Sequence, residues 1–320
     1  MQQNIGNTPL SKSLELSELC LAEVLVKQEF GNPGKSAKDR PALYMIQNAI
    51  QNDKIRQGGK FVEASSGNTG LSVAMICKEL GYQCKIFVSS SCSEEKLALL
   101  KSWDAEVVIK PNSNGPLDRD STQFAAAQYV EDHPESYFTN QYYNDQNILS
   151  HYETTGPEIW KQTSGNLTHF IASVGTGGTI SGVGRFLKEK NPEIKVIGVE
   201  PRNSIFQYYL EHGQMPGLAL ARHDSIEGIG RTFLPGTFDA AVVDQMYQVS
   251  EEQAREAALW FHEISGELSG FSSAAVVASL RHSSAKMGIS EGSRVVVLFP
   301  DHGDRYQSKL YRTQVKEERR

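Results

Sequence analysis

Four junctions rich in glycine and serine hold the residues best placed for chemistry. The first is Gly31-Asn32-Pro33-Gly34-Lys35-Ser36-Ala37-Lys38-Asp39-Arg40. Gly34-Lys35-Ser36 imitates the end of a nucleotide-binding P-loop, but that motif needs glycine five positions before Gly34, where Glu29 stands. No clear apolar strand leads straight into the loop either. A turn and a capped helix, with Ser36 as N-cap and Asp39 at its N3 position, account for the pattern. That reading leaves Lys38 available for chemistry as well.

The second junction is Glu63-Ala64-Ser65-Ser66-Gly67-Asn68-Thr69-Gly70, between an expected strand and an expected helix. Hydroxyls, an amide and backbone N–H groups at a helix start suit a carboxylate or phosphate, although a well-capped turn has the same composition. The third, Ser173-Val174-Gly175-Thr176-Gly177-Gly178-Thr179-Ile180, removes three Cβ atoms and adds two threonine hydroxyls, which makes a phosphate cup. It is not a dinucleotide fingerprint, because G-x-G-x-x-G requires glycine where Ile180 stands. The fourth, Ser269-Gly270-Phe271-Ser272-Ser273-Ala274-Ala275, falls one residue short of a nucleophile elbow. Ala274 replaces its closing glycine, and His282 and His302 are the downstream bases a serine hydrolase would have to use. The eight histidines include no H-E-x-x-H, and no acidic loop has calcium spacing, so no metal site is expected.

These junctions need elements to hold them. Short apolar runs at 59–63, 83–88, 105–109, 169–174, 195–199 and 294–299 predict strands. Helical patterns at 71–80, 94–102, 150–162, 179–190 and 251–264 lie between them. Gly81, Gly292 and Asn191-Pro192 act as stops. The alternation argues for α/β architecture with a mainly parallel sheet, in which ligands sit beyond the carboxyl ends of strands. Residues 111–120 read as a surface loop, residues 208–225 are weakly patterned, and two α/β halves are expected to meet near 142–150.

The chain has 320 residues, 39% of them hydrophobic and 22% charged, which predicts a globular protein with one or two domains. A net charge of -6 without a clustered basic face argues against nucleic acid; Lys316-Glu317-Glu318-Arg319-Arg320 is interrupted by acids. Neither a secretory leader nor an apolar run of about 20 residues is visible, so a cytoplasmic location off the membrane is expected. Cys20, Cys77, Cys84 and Cys92 form no C-x-x-C pair and are expected as free thiols. Without a secretory route the sequon Asn166-Leu167-Thr168 carries no meaning.

In order and spacing, the four junctions together resemble the cysteine synthase and cystathionine β-synthase family of fold-type II pyridoxal phosphate enzymes. The likeness runs from Ile5-Gly6-Asn7-Thr8-Pro9-Leu10 to Asp301-His302-Gly303-Asp304-Arg305-Tyr306. It implies two three-layer αβα domains with mainly parallel sheets, similar to the β subunit of tryptophan synthase, and an active site in the cleft between them. The domains would be 1–150 and 151–320, with the first ~40 residues packing on the second domain. Lys38 would carry pyridoxal phosphate as a Schiff base and shuttle protons at Cα. Asn68 would bond the cofactor's phenolic oxygen, Gly175, Thr176, Gly177, Gly178 and Thr179 its phosphate, and Ser272 its ring nitrogen. Ser65, Ser66, Gly67, Thr69, Gln141 and Gly228 would line the amino-acid site, most of them around the α-carboxylate.

The chemistry is consistent with those roles. The cofactor serves as an electron sink, and a neutral serine at its ring nitrogen damps carbanion character, which favours loss of a β-substituent over transamination. The expected course is removal of the Cα proton, expulsion of the β-substituent and addition of a thiol, a ping-pong scheme. The sequence departs from the family at Lys35 and Ala274, where glycine is usual, and at Glu267, usually apolar. Ala274 raises a question about the backbone beside Ser272.

Within the family, Glu227 in Glu227-Gly228-Ile229-Gly230 and the long stretch 204–225 lean toward cystathionine β-synthases, which join serine to homocysteine. Glu227 is then either the acid that helps hydroxide depart or a solvent-facing loop residue. Cysteine synthases, using O-acetylserine and sulfide, are the alternative. O-phosphoserine enzymes tend to place arginine where Gly228 stands, although Arg231 and Lys35 are nearby cations. A non-catalytic relative would be expected to have lost Lys38 or the Ser65–Thr69 loop, and both are intact. A homodimer is implied, and neither a haem-binding extension nor an adenosyl-binding module is expected.

Overall fold

The computed structural model describes residues 2–111, 118–202, 204–216 and 226–311. In chain order it contains β1 (Leu10–Lys12), α1 (Leu14–Cys20), β2 (Glu23–Gln28), α2 (Asp39–Gln51), β3 (Lys60–Ala64), α3 (Asn68–Leu80) and β4 (Gln83–Ser89). There follow α4 (Glu94–Ser102), β5 (Glu106–Lys110), α5 (Thr122–Asp132), β6 (Ser136–Phe138), α6 (Gln146–Ser150) and α7 (Gly156–Gln162). The remainder comprises β7 (His169–Ser173), α8 (Gly178–Lys190), β8 (Lys195–Pro201), α9 (Phe206–His212), β9 (Gln245–Val249), α10 (Glu251–Ser265), α11 (Phe271–Ser283) and β10 (Arg294–Phe299).

Two sheets result, one in the order β5-β4-β3-β6 and one in the order β1-β2-β10-β7-β8-β9. Among the described residues, every pairing between these strands is parallel except β1 with β2. The period-two rule of strands distributes side chains to two cores per sheet. In β10, Val295, Val297 and Phe299 join α10 and α11 on one face, while Val296 and Leu298 join α8 on the other. In β4, Cys84, Ile86 and Val88 face α2 and α3, and Phe87 faces α5. Each fully buried Val, Leu or Phe of this kind contributes about 1.5–3 kcal/mol.

Helix ends follow local chemistry. Ser250 and Gln253 form a capping box at the start of α10, and Gly266 closes it in the left-handed region. Gly81, also left-handed, stops α3. The stretch 142–150 holds α6, which continues through one π turn at His151–Thr155 into α7.

Two expectations are corrected. A strand does run into the first junction, namely β2, with Val24, Leu25 and Val26 buried. Polar Glu23, Lys27 and Gln28 disguise it, and Lys27 is buried because Glu158, Gln162 and the Thr8 carbonyl receive its ammonium. Ser36 is not an N-cap: Lys38 occupies that position, and Ser36 pairs through its backbone with Asp301. The Asp39 carboxylate accepts instead from the Gly34 N–H and the Ser72 hydroxyl.

Residues 112–117 of the expected surface loop and 217–225 of the weakly patterned stretch lie outside the described residues. All four cysteines are free, and no described helix is long and apolar enough to cross a membrane.

Candidate active site

A cavity of about 700 Å³ opens between the two sheets at the carboxyl ends of β3, β7 and β10. Lys38, the Ser65–Thr69 loop, Gln141, Gly175, Thr176, Gly177, Thr179, Glu227, Gly228 and Ser272 all line it. Gly178 alone of the expected site residues lies behind the wall, at the first position of α8.

Lys38 enters the cavity from the start of α2, its N–H donating to Ser36 Oγ at 3.3 Å. Burial pushes its ammonium pKa down; Asp301 opposes that, and the Arg231 charge adds to it. A buried amine of lowered basicity is what nucleophilic attack on a carbonyl requires.

The Ser65–Thr69 loop leads from β3 into α3, so Asn68 and Thr69 belong to the first helical turn, one turn earlier than the sequence pattern suggests. Ser65 Oγ accepts from the Gly67 N–H at 3.2 Å and Ser66 Oγ from the Ser89 N–H at 2.7 Å, leaving both hydroxyl protons for another acceptor. Thr69 donates to Gln141 Oε1 at 2.7 Å, which turns the Gln141 amide N–H₂ outward. The Asn68 amide is clamped: Nδ2 donates to Asp301 Oδ2 at 2.7 Å and Oδ1 accepts from Arg305. Its second N–H is the group left to donate.

The Gly175–Thr179 loop begins α8, whose N-cap residue Gly177 supplies no side-chain cap, although Thr176 Oγ1 accepts from the Gly178 N–H at 3.3 Å. Orphan N–H groups and the helix dipole therefore favour an anion there. The glycines have a more local reason than closeness to an anion. A Cβ on Gly175 would lie 2.3 Å from the Gly228 carbonyl oxygen, and one on Gly178 would lie 2.1 Å from Asn147 Oδ1. Gly177 has φ +93, and its Cβ would lie 2.7 Å from the Phe238 backbone. Thr176 Oγ1 accepts from Asn147 at 3.0 Å, so its own proton is free to donate. The Thr179 hydroxyl meets His151 Nε2 at 3.2 Å, and burial holds that histidine neutral with a pKa of about 3.

Ser272 sits in the first turn of α11 and reaches the cavity. Ala274 is buried inside the same helix without a positive φ, so alanine meets no backbone obstacle there. Lys35 adopts φ +57, the left-handed conformation that makes glycine the easy residue, and its exposed ammonium lies 3.6 Å from Asp304. Glu267 is exposed. Glu227 lines the cavity and forms an ion pair with Lys96 rather than facing solvent alone.

Asp301, Arg231 and Tyr306 also line the cavity, and Arg305 joins through Asn68. Sequence reasoning named Arg231 only as a nearby cation and gave Asp301, Tyr306 and Arg305 no role, although Asp301 stands just past the end of β10, where strand-to-loop junctions hold ligands. No group of three or more potential metal ligands occurs among the described residues.

The family model described as "Pyridoxal-phosphate dependent enzyme" matches residues 1–301. Cysteine synthase B of Salmonella typhimurium is 36% identical over 96% of this chain and 94% of its own length. Cystathionine beta-synthase of Apis mellifera is also 36% identical over 96% of this chain, which spans 60% of that relative. The crystal structure of O-ureido-L-serine synthase superposes with a TM-score of 0.85 at 30% identity, covering 98% of this chain and 94% of that one. A hydrogen sulfide-producing enzyme from Fusobacterium nucleatum superposes at 0.84 and 31% identity, covering 95% and 96%. The fold is accordingly that of fold-type II pyridoxal phosphate synthases. This chain belongs to the pyridoxal-phosphate dependent enzyme family, alongside the cysteine synthases and cystathionine β-synthases.

Proposed function

We propose that the chain catalyses β-replacement on serine or an O-activated serine with a thiol. The observation that carries this is the meeting of Lys38, the Ser65–Thr69 loop, the Gly175–Thr179 loop and Ser272 on one cavity. The residues fit pyridoxal phosphate: a helix start with glycine as its N-cap for its phosphate, a clamped amide presenting an N–H, and an amine of lowered basicity. When bound, the cofactor supplies an electron sink for Cα–H and Cβ–substituent cleavage.

The chain's own groups do the rest. Lys38 holds the cofactor through its nitrogen, then takes the Cα proton and returns it. Gly175, Thr176, Gly177, Gly178 and Thr179 hold the phosphate, Asn68 donates to the phenolic oxygen, and Ser272 faces the ring nitrogen without imposing a charge. Ser65, Ser66, Gly67, Thr69 and Gln141 orient the donor α-carboxylate, with Gly228 at the mouth. Serine and homocysteine are the favoured pair, because Glu227 and Lys96 place a proton-carrying pair on the cavity wall where hydroxide needs assistance to leave. Cysteine synthase chemistry, O-acetylserine with sulfide, is the second reading, supported by the Salmonella relative matched along 94% of its length. A homodimer is part of the proposal, and sedimentation velocity measures it.

The test pairs absorbance with a panel. Reconstituted wild type is expected to show the visible band and Lys38→Ala to lack it; a colourless wild type overturns the proposal. Serine, O-acetylserine and O-phosphoserine are then each offered with sulfide and with homocysteine. Turnover of serine with homocysteine, reduced about 100-fold or more by Glu227→Gln, is expected. Inert serine beside fast O-acetylserine transfers the assignment to the second reading.

A further inference from the structure

We infer that Arg231 is a cofactor-binding residue of this chain, its guanidinium adding a fixed positive charge to the phosphate cup of Gly175–Thr179. The backbone brings the two together. The Gly230 N–H donates to the Val174 carbonyl at 2.8 Å, and the Gly228 carbonyl abuts Gly175, so the segment carrying Arg231 lies along the start of the cup. Arg231 Nη2 stands 3.6 Å from where a Cβ on Gly175 would lie, and Arg231 lines the same cavity as the cup.

The side chain is fixed in place but not paired. The Arg231 N–H donates to Ser204 Oγ at 3.0 Å, and its carbonyl accepts from the Ile205 N–H at 3.1 Å, which sets where the side chain starts. The guanidinium lies over the Tyr142 ring, 5.2 Å from its centroid, and that ring packs edge-on against Phe233. Nη1 donates to the Gly230 carbonyl, while Nε is buried without a hydrogen-bond partner. Among the described residues no carboxylate forms an ion pair with Arg231, whereas two other cations of the cavity wall, Lys96 and Arg255, are paired with Glu227 and Glu251. A guanidinium with unfilled donors in a half-buried wall is costly until an anion meets it.

The cup has no full charge of its own. Its donors are backbone N–H groups and the Thr176 and Thr179 hydroxyls, and His151 against Thr179 is neutral. The α8 dipole supplies roughly half a positive charge at its N-terminus, against the about 1.5 to 2 negative charges of a phosphate monoester at pH 7. Arg231 supplies a further charge from the side, in the planar, many-donor form that suits phosphate oxygens. The other anion of the site, the donor α-carboxylate, already has the Ser65–Thr69 loop and Gln141 to receive it.

The inference rests on the cofactor reading, and the experiment separates their failures. Apoprotein is titrated with pyridoxal phosphate and with pyridoxal, which has the same aldehyde and no phosphate, and binding is read from the visible band. Arg231→Gln is expected to weaken pyridoxal phosphate about tenfold or more, the scale of one charge-assisted contact, and to leave pyridoxal unchanged. Arg231→Lys keeps the charge without the planar fork and is expected to lose less. The wild type decides alone if neither variant folds. In the apoprotein, modification of Arg231 by phenylglyoxal, read by peptide mass spectrometry, is expected to be slowed by inorganic phosphate and not by acetate at equal ionic strength. Equal losses for both ligands, no loss for either, or a modification rate indifferent to phosphate overturns the Arg231 assignment. So does an effect confined to the KM of the amino-acid donor, which would give Arg231 to the substrate carboxylate. Each of these results in a yellow wild type leaves the cofactor reading standing, whereas a wild type that never acquires the visible band overturns that reading and this inference with it.

Discussion

The Thr69 hydroxyl donates a hydrogen bond to Gln141 Oε1, and that one bond decides which end of the Gln141 amide looks into the cavity. With oxygen tied to Thr69, the amide presents N–H groups, the correct polarity for a carboxylate. Thr69→Val leaves the bulk and removes the proton. The apparent KM for the amino-acid donor is expected to rise about tenfold, the scale of one charge-assisted hydrogen bond, with the visible band unchanged. Steady-state kinetics beside an absorbance spectrum checks both halves. Lys35 teaches a different lesson at this scale. A residue departing from its family's pattern need not signal new chemistry, because lysine there takes up the left-handed backbone that glycine would.

At the scale of elements, strands and their loops were legible and their partners were not. Alternating or continuous apolar runs announced β3, β4, β5, β7, β8 and β10, because their side chains divide between two cores. β1, β6 and β9 are short or half polar and left no such trace, and β2 was hidden by a lysine whose burial depends on a distant glutamate. The loops of the site were visible because glycine, serine and threonine mark strand-to-helix turns. What the turns lean on was not visible, since Asp301 and Arg305 reach Asn68 across more than 230 residues. Gly177 shows how strictly the α8 loop is built, with φ +93 and Phe238 where a Cβ would go. Gly177→Ala is expected to cost about 1–3 kcal/mol in backbone strain alone. It should also shrink the rise in melting temperature produced by saturating pyridoxal phosphate. Paired thermal melts, with and without cofactor, check this; an unchanged ligand-induced rise removes the loop from the phosphate site.

Across the whole molecule, a buried ionic network ties α2, which packs on the four-stranded sheet, to β2 of the six-stranded one and to α7. Arg40 of α2 binds Glu29 through Nε at 2.7 Å and Nη2 at 2.8 Å and also reaches Glu158 of α7, which holds Lys27 of β2. Burial alone would push the Glu29 carboxyl up; Arg40, Thr8 and Lys27 outweigh it and hold the group at about 2. A carboxyl depressed in the folded state contributes stability above its ordinary pKa near 4.5, lost as the pH falls through about 2. Glu29→Gln is expected to cost about 3–5 kcal/mol at pH 7, since it leaves Arg40 partly unpaired in the interior. It should also flatten the acid dependence. Urea midpoints for both proteins between pH 7 and pH 3 test this, and parallel curves would deny Glu29 the role.

The pairing of β2 with β10, Glu23 opposite Arg294 through Gln28 opposite Phe299, also imposes a schedule on synthesis. All strands of the four-stranded sheet lie between Lys60 and Phe138, so that half can assemble while the rest of the chain is still being translated. The other sheet has its second strand made before that segment and that strand's parallel neighbour more than 150 residues after it. Until β10 leaves the ribosome, β2 waits beside an unpaired edge, and the turn that bears Lys38 waits with it. A nascent chain halted short of residue 294 should therefore hold a folded middle and a lysine with no site to enter.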